Sequence, residues 1–229
     1  MMKYSLMKKR SNKVEAIVFD LDNTLYDSKQ YFVGSFKEIA HYVSKKHKVS
    51  YRKSYHLLTS IWKNKSSMYS FLFDDFLEQL KLYENPKKLV KIFNSYSGKI
   101  KPFSDTIPTI KKLKGKGYKM GLITDGNISR QKRKIKKLEL EDCFDCIIFT
   151  KKLKPKPSVK PYFILLQRLK LKPSEVVYVG DNPNLDFSGA KKVGLKTVRV
   201  ARGEFSKIPD TNNIDCSIDR LKELLRFLL

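Results

Sequence analysis

Ala16-Ile17-Val18-Phe19-Asp20-Leu21-Asp22-Asn23-Thr24-Leu25 runs four apolar residues, two of them β-branched, straight into a pair of aspartates. A short unbroken apolar run reads as a strand buried on both faces. Asp20 and Asp22 stand where such a strand leaves the core. In an open α/β sheet, ligands bind at the carboxyl ends of the strands. The pair is therefore a candidate nucleophile, Asp20, with Asp22 as its acid/base partner.

Outward from this strand the pattern changes. Phe32, Phe36, Ile39, Ala40 and Val43 recur at helical spacing, as do Tyr55, Leu58 and Trp62, then Phe73, Phe76, Leu77 and Leu80, then Leu89, Val90, Phe93 and Tyr96. Ser50 and Asn85-Pro86 are helix starts. From residue 99 strands and helices alternate. Ser104 or Asp105 is placed to cap a helix that runs through Leu113. Strands are expected at 118–124, 146–150, 176–180 and 197–200, with helices between them and a terminal helix at 218–229. The expected architecture is an α/β, Rossmann-like parallel sheet core with helices on both faces, built from 1–27 and 99–229, plus an all-α helical cap domain at 28–98.

Three strands end alike, at Asp20, at Thr124-Asp125 and at Gly180-Asp181. In a parallel sheet these endings share one edge. Converging carboxylates repel unless a cation separates them or one is protonated. Carboxylates together with phosphate oxygens are what Mg²⁺ prefers.

The net charge of +25, from 48 basic and 23 acidic residues, favours anionic partners. The lysines are spread along the chain, however, and Arg130–Leu138 has bases around an apolar minority at helical spacing, the pattern of a solvated helix face. No aromatic-interleaved RNA-binding signature is present, so nucleic acid is not the expected partner. No apolar run reaches the ~20 residues of a membrane span, and the basic N-terminus lacks the apolar core of a signal peptide. The expectation is a cytoplasmic protein, monomeric or dimeric. Three cysteines are too few for a disulfide framework, and Cys146 reads as a small buried strand residue.

Four blocks, taken in order, resemble the haloacid dehalogenase superfamily, in the branch with a helical cap inserted after the first strand. They are Asp20-Leu21-Asp22-Asn23-Thr24-Leu25, then Leu122-Ile123-Thr124-Asp125-Gly126-Asn127, then Lys156-Pro157 with Pro161-Tyr162-Phe163, then Val179-Gly180-Asp181-Asn182-Pro183-Asn184-Leu185-Asp186 with Gly189-Ala190 and Gly194. The resemblance implies that Asp20 attacks phosphorus to form an aspartyl-phosphate. Asp22 would protonate the leaving oxygen and then activate water, and its main-chain carbonyl would bind Mg²⁺. Thr124, with backbone N–H groups around Asp125 and Gly126, would hold phosphoryl oxygens. Lys156 would neutralise charge on Asp20 and the phosphoryl group, with its neighbour Lys154, two positions away, as the alternative. Asp20, Asp22 and Asp181 would be metal ligands, and Asp186 a further ligand or an orienting group. Val159 stands where the family usually has proline, a change in loop stiffness rather than chemistry.

Asp22, Asp181 and Asp186 argue against a metal-free dehalogenase. The reaction expected is Mg²⁺-dependent hydrolysis of a small phosphorylated metabolite, with a sugar phosphomutase of the same fold as the alternative. Substrate choice would lie in the cap, where Arg52, Trp62, Lys63 and Lys65 are unassigned.

Overall fold

The computed structural model describes residues 13–228. The basic start at 1–12 and Leu229 lie outside the described residues. The chain divides into two compact units. One runs to Asp27 and resumes at Lys101, and the other is Ser28–Ile100.

The elements in chain order are β1 (Ala16–Phe19), then α1 (Lys29–His47), α2 (Tyr51–Lys65), α3 (Leu72–Gln79) and α4 (Pro86–Ser95) of the helical unit. They continue with α5 (Thr106–Gly115), β2 (Lys119–Thr124), α6 (Ile128–Lys137), β3 (Cys146–Phe149), α7 (Lys160–Leu169), β4 (Val176–Gly180), α8 (Phe187–Val193), β5 (Lys196–Val200), β6 (Cys216–Ile218) and α9 (Leu224–Leu228).

In the helical unit the expected starts hold. Ser50 accepts a hydrogen bond from the Lys53 N–H, and Asn85 accepts one from the Lys87 N–H ahead of Pro86. The interior is aromatic: Phe32 stacks on Trp62 at 5.1 Å, and Phe93 packs edge-on against Tyr31 at 5.4 Å. Val90, expected on the apolar face of α4, is 41% exposed, because Leu89 and Phe93 already fill that stripe.

In the other unit, the described strands form one parallel sheet in the order β3-β2-β1-β4-β5-β6. The order reverses between β1 and β4, and a crevice at the carboxyl ends of the strands follows at such a switch point. Every residue of β1 and β4 is buried, so both faces of the central sheet are covered. Val18, Ile123, Ile148 and Tyr178 from the sheet pack with Tyr162 and Leu165 of α7 and Phe187 and Ala190 of α8. The register sets Phe19 beside Leu122 on one side and Val179 on the other. Asp20 therefore leaves the sheet between Ile123-Thr124 and Gly180-Asp181.

Three further expectations need correction. Residues 216–218 are strand β6, paired in parallel with β5 (Val198 with Cys216, Val200 with Ile218), and helix resumes only at a 3₁₀ turn at Leu221–Glu223. Three residues are too short to show periodicity. Asp105 stands at the start of α5, but its carboxylate does not cap the helix. It accepts from Arg202 at 2.7 Å and from the Leu221 N–H at 2.7 Å. Lastly, α6 is not a wholly solvated basic face, since Gln131 and Lys134 are buried beside Ile135.

Gly189 of α8 makes a close approach that fixes the site. A Cβ there would lie 2.3 Å from the Pro157 carbonyl oxygen, on the loop that carries Lys156. Gly189→Ala should therefore lower stability by about 1–3 kcal/mol through overpacking against backbone, read by chemical denaturation. Wild-type stability in this variant would contradict the packing described.

Candidate active site

Lys156 lies at the centre of the carboxylate cluster. Its Nζ donates to Asp20 Oδ1, to Asp186 Oδ1 at 2.6 Å and to the Tyr178 hydroxyl at 3.3 Å. Lys156 is buried, while Lys154 is exposed. The Lys156 loop is anchored from the second block: Asp125 Oδ1 accepts the Thr150 hydroxyl and, at 3.4 Å, the Lys156 N–H.

Asp186 is fully engaged. Oδ1 accepts from Lys156 and, at 3.1 Å, from Tyr178, while Oδ2 accepts the Asp181 and Asn182 N–H groups at 3.1 and 2.8 Å. Its carbonyl accepts the Tyr162 hydroxyl at 2.7 Å. Asp181 differs. The Thr24 hydroxyl donates to Oδ1 at 3.0 Å, but Oδ2 is buried with no hydrogen-bond partner among the described residues. A buried carboxylate oxygen left unpaired is costly. Its position beside Asp20 suits a cation.

The two aspartates of the opening stretch have opposite proton affinities. Burial raises the Asp20 pKa from 3.8 to about 8, with Lys156 opposing and the Asp186 charge adding to the rise. Burial would raise Asp22 too, but Lys134, through its charge and hydrogen bond, and the Tyr26 and Gln131 hydrogen bonds outweigh it and bring Asp22 down to about 2. Burial, followed by Asp186 and Asp20, pushes Asp181 well above the carboxylate range. Lys156 is held firmly protonated: burial works against its charge, but Asp186 and Asp20 prevail.

Asp22 is gripped by three donors. Tyr26 Oη donates to Oδ1 at 2.5 Å, Lys134 Nζ to Oδ1 at 2.6 Å, and Gln131 Nε2 to Oδ2 at 2.8 Å. Gln131 Nε2 also reaches Thr124 Oγ1 at 2.6 Å. These partners were missed in the sequence reading, which placed α6 in solvent. A signal was present: Gln131 and Lys134 line up with Ile135 and Leu138 at helical spacing, so two polar side chains sit on the apolar stripe. Gly126 forms the turn between β2 and α6 with φ +105°, where a Cβ would meet Arg130 Nη2 at 2.4 Å. Asn127 caps α6 by accepting the Arg130 N–H at 3.0 Å.

Asp20, Asp22, Thr124, Asp125, Gly126, Lys156, Asp181 and Asp186 thus all stand at one end of one sheet. Among the described residues no three His, Cys, Asp or Glu side chains form a ready-made metal cage. Mg²⁺ does not demand one, since it binds through one or two carboxylates, water and substrate phosphate. Asp20 and the orphaned Oδ2 of Asp181 fit that donor set.

The family model for haloacid dehalogenase-like hydrolases matches residues 17–200. The chain is 31% identical over 218 residues to a glyceraldehyde 3-phosphate phosphatase of Methanocaldococcus jannaschii, covering 93% of this chain and 96% of that protein. It is 33% identical over 204 residues to one of Pyrococcus furiosus, covering 86% and 84%. Among solved structures, a haloacid dehalogenase phosphatase from Thermococcus onnurineus aligns with a TM-score of 0.68 at 27% identity, covering 94% of this chain and 98% of that one. A putative β-phosphoglucomutase from Thermotoga maritima aligns at 0.75 and 20% identity, covering 94% and 98%, a likeness of fold alone.

The raised Asp20 pKa has a definite sign. The folded chain keeps this proton up to about pH 8, whereas the unfolded chain releases it near 3.8. Stability from this group falls as pH rises through that window. In EDTA, the stability of Asp20→Asn relative to wild type should therefore rise from about pH 5 to pH 8 in urea unfolding. A pH-independent difference would contradict the assignment.

Proposed function

We propose, from the premise that the chain belongs to the haloacid dehalogenase-like hydrolase family and is a phosphatase of a small phosphorylated metabolite, that Asp20 is its nucleophile and Asp22 its acid/base. The single observation that carries this reading is the Asp20–Lys156–Asp186 contact beside the orphaned Oδ2 of Asp181. It presents one carboxylate for attack, with a fixed cation on one side and a vacant oxygen donor on the other.

In the first half-reaction an Asp20 oxygen bonds to phosphorus as the ester oxygen leaves, and Asp22 gives that oxygen a proton. In the second, Asp22 takes a proton from water, which attacks phosphorus and releases Asp20 and phosphate. Asp22 is ionised before substrate arrives. The negative phosphoryl group raises its proton affinity on binding, so the proton enters with the substrate. Thr124 and the backbone N–H groups of Asp125 and Gly126 hold phosphoryl oxygens. Asp20 must give up the proton that burial favours before it attacks, and Lys156, held protonated, offsets the charge that this leaves. Asp186, whose oxygens are all in use, orients Lys156 and the Asp181 turn rather than binding metal.

Asp20, Asp181 and the Asp22 carbonyl would hold Mg²⁺. Bound there, it supplies positive charge to the phosphoryl oxygens and removes the repulsion between Asp20 and an anionic substrate. The helical unit is read as the cap that selects substrate. Glyceraldehyde 3-phosphate, named for the relatives, is the first substrate to test.

Phosphate release should be measured over a panel of phosphorylated metabolites that includes glyceraldehyde 3-phosphate. Activity should require Mg²⁺, vanish in EDTA and fall at least ~10³-fold in Asp20→Asn. Wild-type turnover in Asp20→Asn would remove the reading. A mutase would instead interconvert sugar phosphate isomers and release little phosphate.

A further inference from the structure

Helix α6 is the most basic helix in the unit, and its charges are treated unequally. Lys132, Lys136 and Lys137 are exposed, whereas Lys134 is 3% exposed and Gln131 is fully buried. A buried ammonium is costly unless paired. An apolar residue at this position would fill the stripe with Ile135 and Leu138 without that cost. What Lys134 meets is Asp22 Oδ1 at 2.6 Å.

Gln131 lies three residues earlier on the same face and does something an apolar residue cannot. Its one amide nitrogen bridges Asp22 Oδ2 at 2.8 Å and Thr124 Oγ1 at 2.6 Å. Two consequences follow from donor and acceptor counting. The Thr124 oxygen accepts from Gln131, so its own hydroxyl proton points elsewhere and is available to donate. On Asp22, Oδ1 takes both Tyr26 and Lys134, whereas Oδ2 takes the Gln131 amide and keeps a lone pair for the reaction.

We propose that Gln131 and Lys134 are positioning residues that hold Asp22 and Thr124 as one unit, with Asp22 Oδ2 as the oxygen that transfers the proton. The assignment rests on the phosphatase reading above. It adds that α6 ties the phosphate-holding hydroxyl to the acid/base, so the distance between phosphorus and the proton donor is set by one helix. Asn127 fixes where that helix starts, three residues after Thr124.

The test exploits leaving-group basicity. An alkyl phosphate needs a proton on its leaving oxygen, while p-nitrophenyl phosphate needs far less help. Lys134→Met and Gln131→Met should lower kcat/KM for glycerol 3-phosphate on the order of 10²-fold, at least tenfold more than for p-nitrophenyl phosphate. In an Asp22→Asn background the same changes should cost less than about threefold further, because they act through Asp22. Gln131→Met preserves side-chain volume and carries the test if Lys134→Met fails to fold. Equal losses on both esters, or full additivity with Asp22→Asn, would overturn the positioning role and leave a structural one. Turnover that survives Asp20→Asn would instead remove the underlying phosphatase reading, which is a separate outcome.

Discussion

A single buried ammonium, Lys156, binds Asp20 and Asp186, and much of the core unit is arranged to keep it there. Two carboxylates this close and this buried would repel each other and draw protons. The ammonium offsets part of that repulsion, although burial and Asp186 still leave Asp20 with a raised proton affinity. Its own burial is tolerable because Asp20, Asp186 and the Tyr178 hydroxyl take its three protons. Asp125 and Thr150 brace its loop from one side, and Gly189 admits it from the other. Asp186 in turn orders the Asp181 turn through two backbone N–H groups. The geometry of the third and fourth sequence blocks is therefore one connected network rather than two sites.

The second organising contact lies on the other side of the same turn. Asp20 and Asp22 are two residues apart on one short excursion from β1, yet one is pushed to about 8 and the other down to about 2. Environment makes the difference. Asp20 points into the carboxylate cluster and shares its cation with Asp186. Asp22 pairs with a different ammonium, Lys134, and takes hydrogen bonds from Tyr26 and Gln131 in addition. Pairs of like groups whose surroundings drive their proton affinities apart are how one site assigns different roles to identical side chains.

The α/β core, and the gathering of all eight candidate residues at one end of its sheet, were legible from the sequence, because strand endings put polar groups at predictable places. An apolar run followed by Asp gives the residue, the element and the sheet edge together. Asp20, Thr124 and Asp181 follow from that logic, and Lys156 from the resemblance of the third block to the family's pattern. Lys134 and Gln131 were not legible in the same way. Their place on one stripe with Ile135 and Leu138 hints at burial, but a lysine among lysines does not show what it pairs with, since Asp22 is 112 residues away in sequence. Strand β6 escaped because its three residues pair only with β5, and Cys-Ser-Ile carries no alternation long enough to read. Asp105 deceived because a helix start attracts aspartate for capping, whereas here Arg202 claims the carboxylate.

The central claim is that Asp20 itself becomes phosphorylated. The direct measurement is to quench the enzyme in acid during turnover of its best substrate, reduce the acyl-phosphate with borohydride and locate the product by peptide mass spectrometry. Homoserine at position 20 is the predicted result. Turnover without modification of Asp20, or modification of another aspartate, would contradict the account.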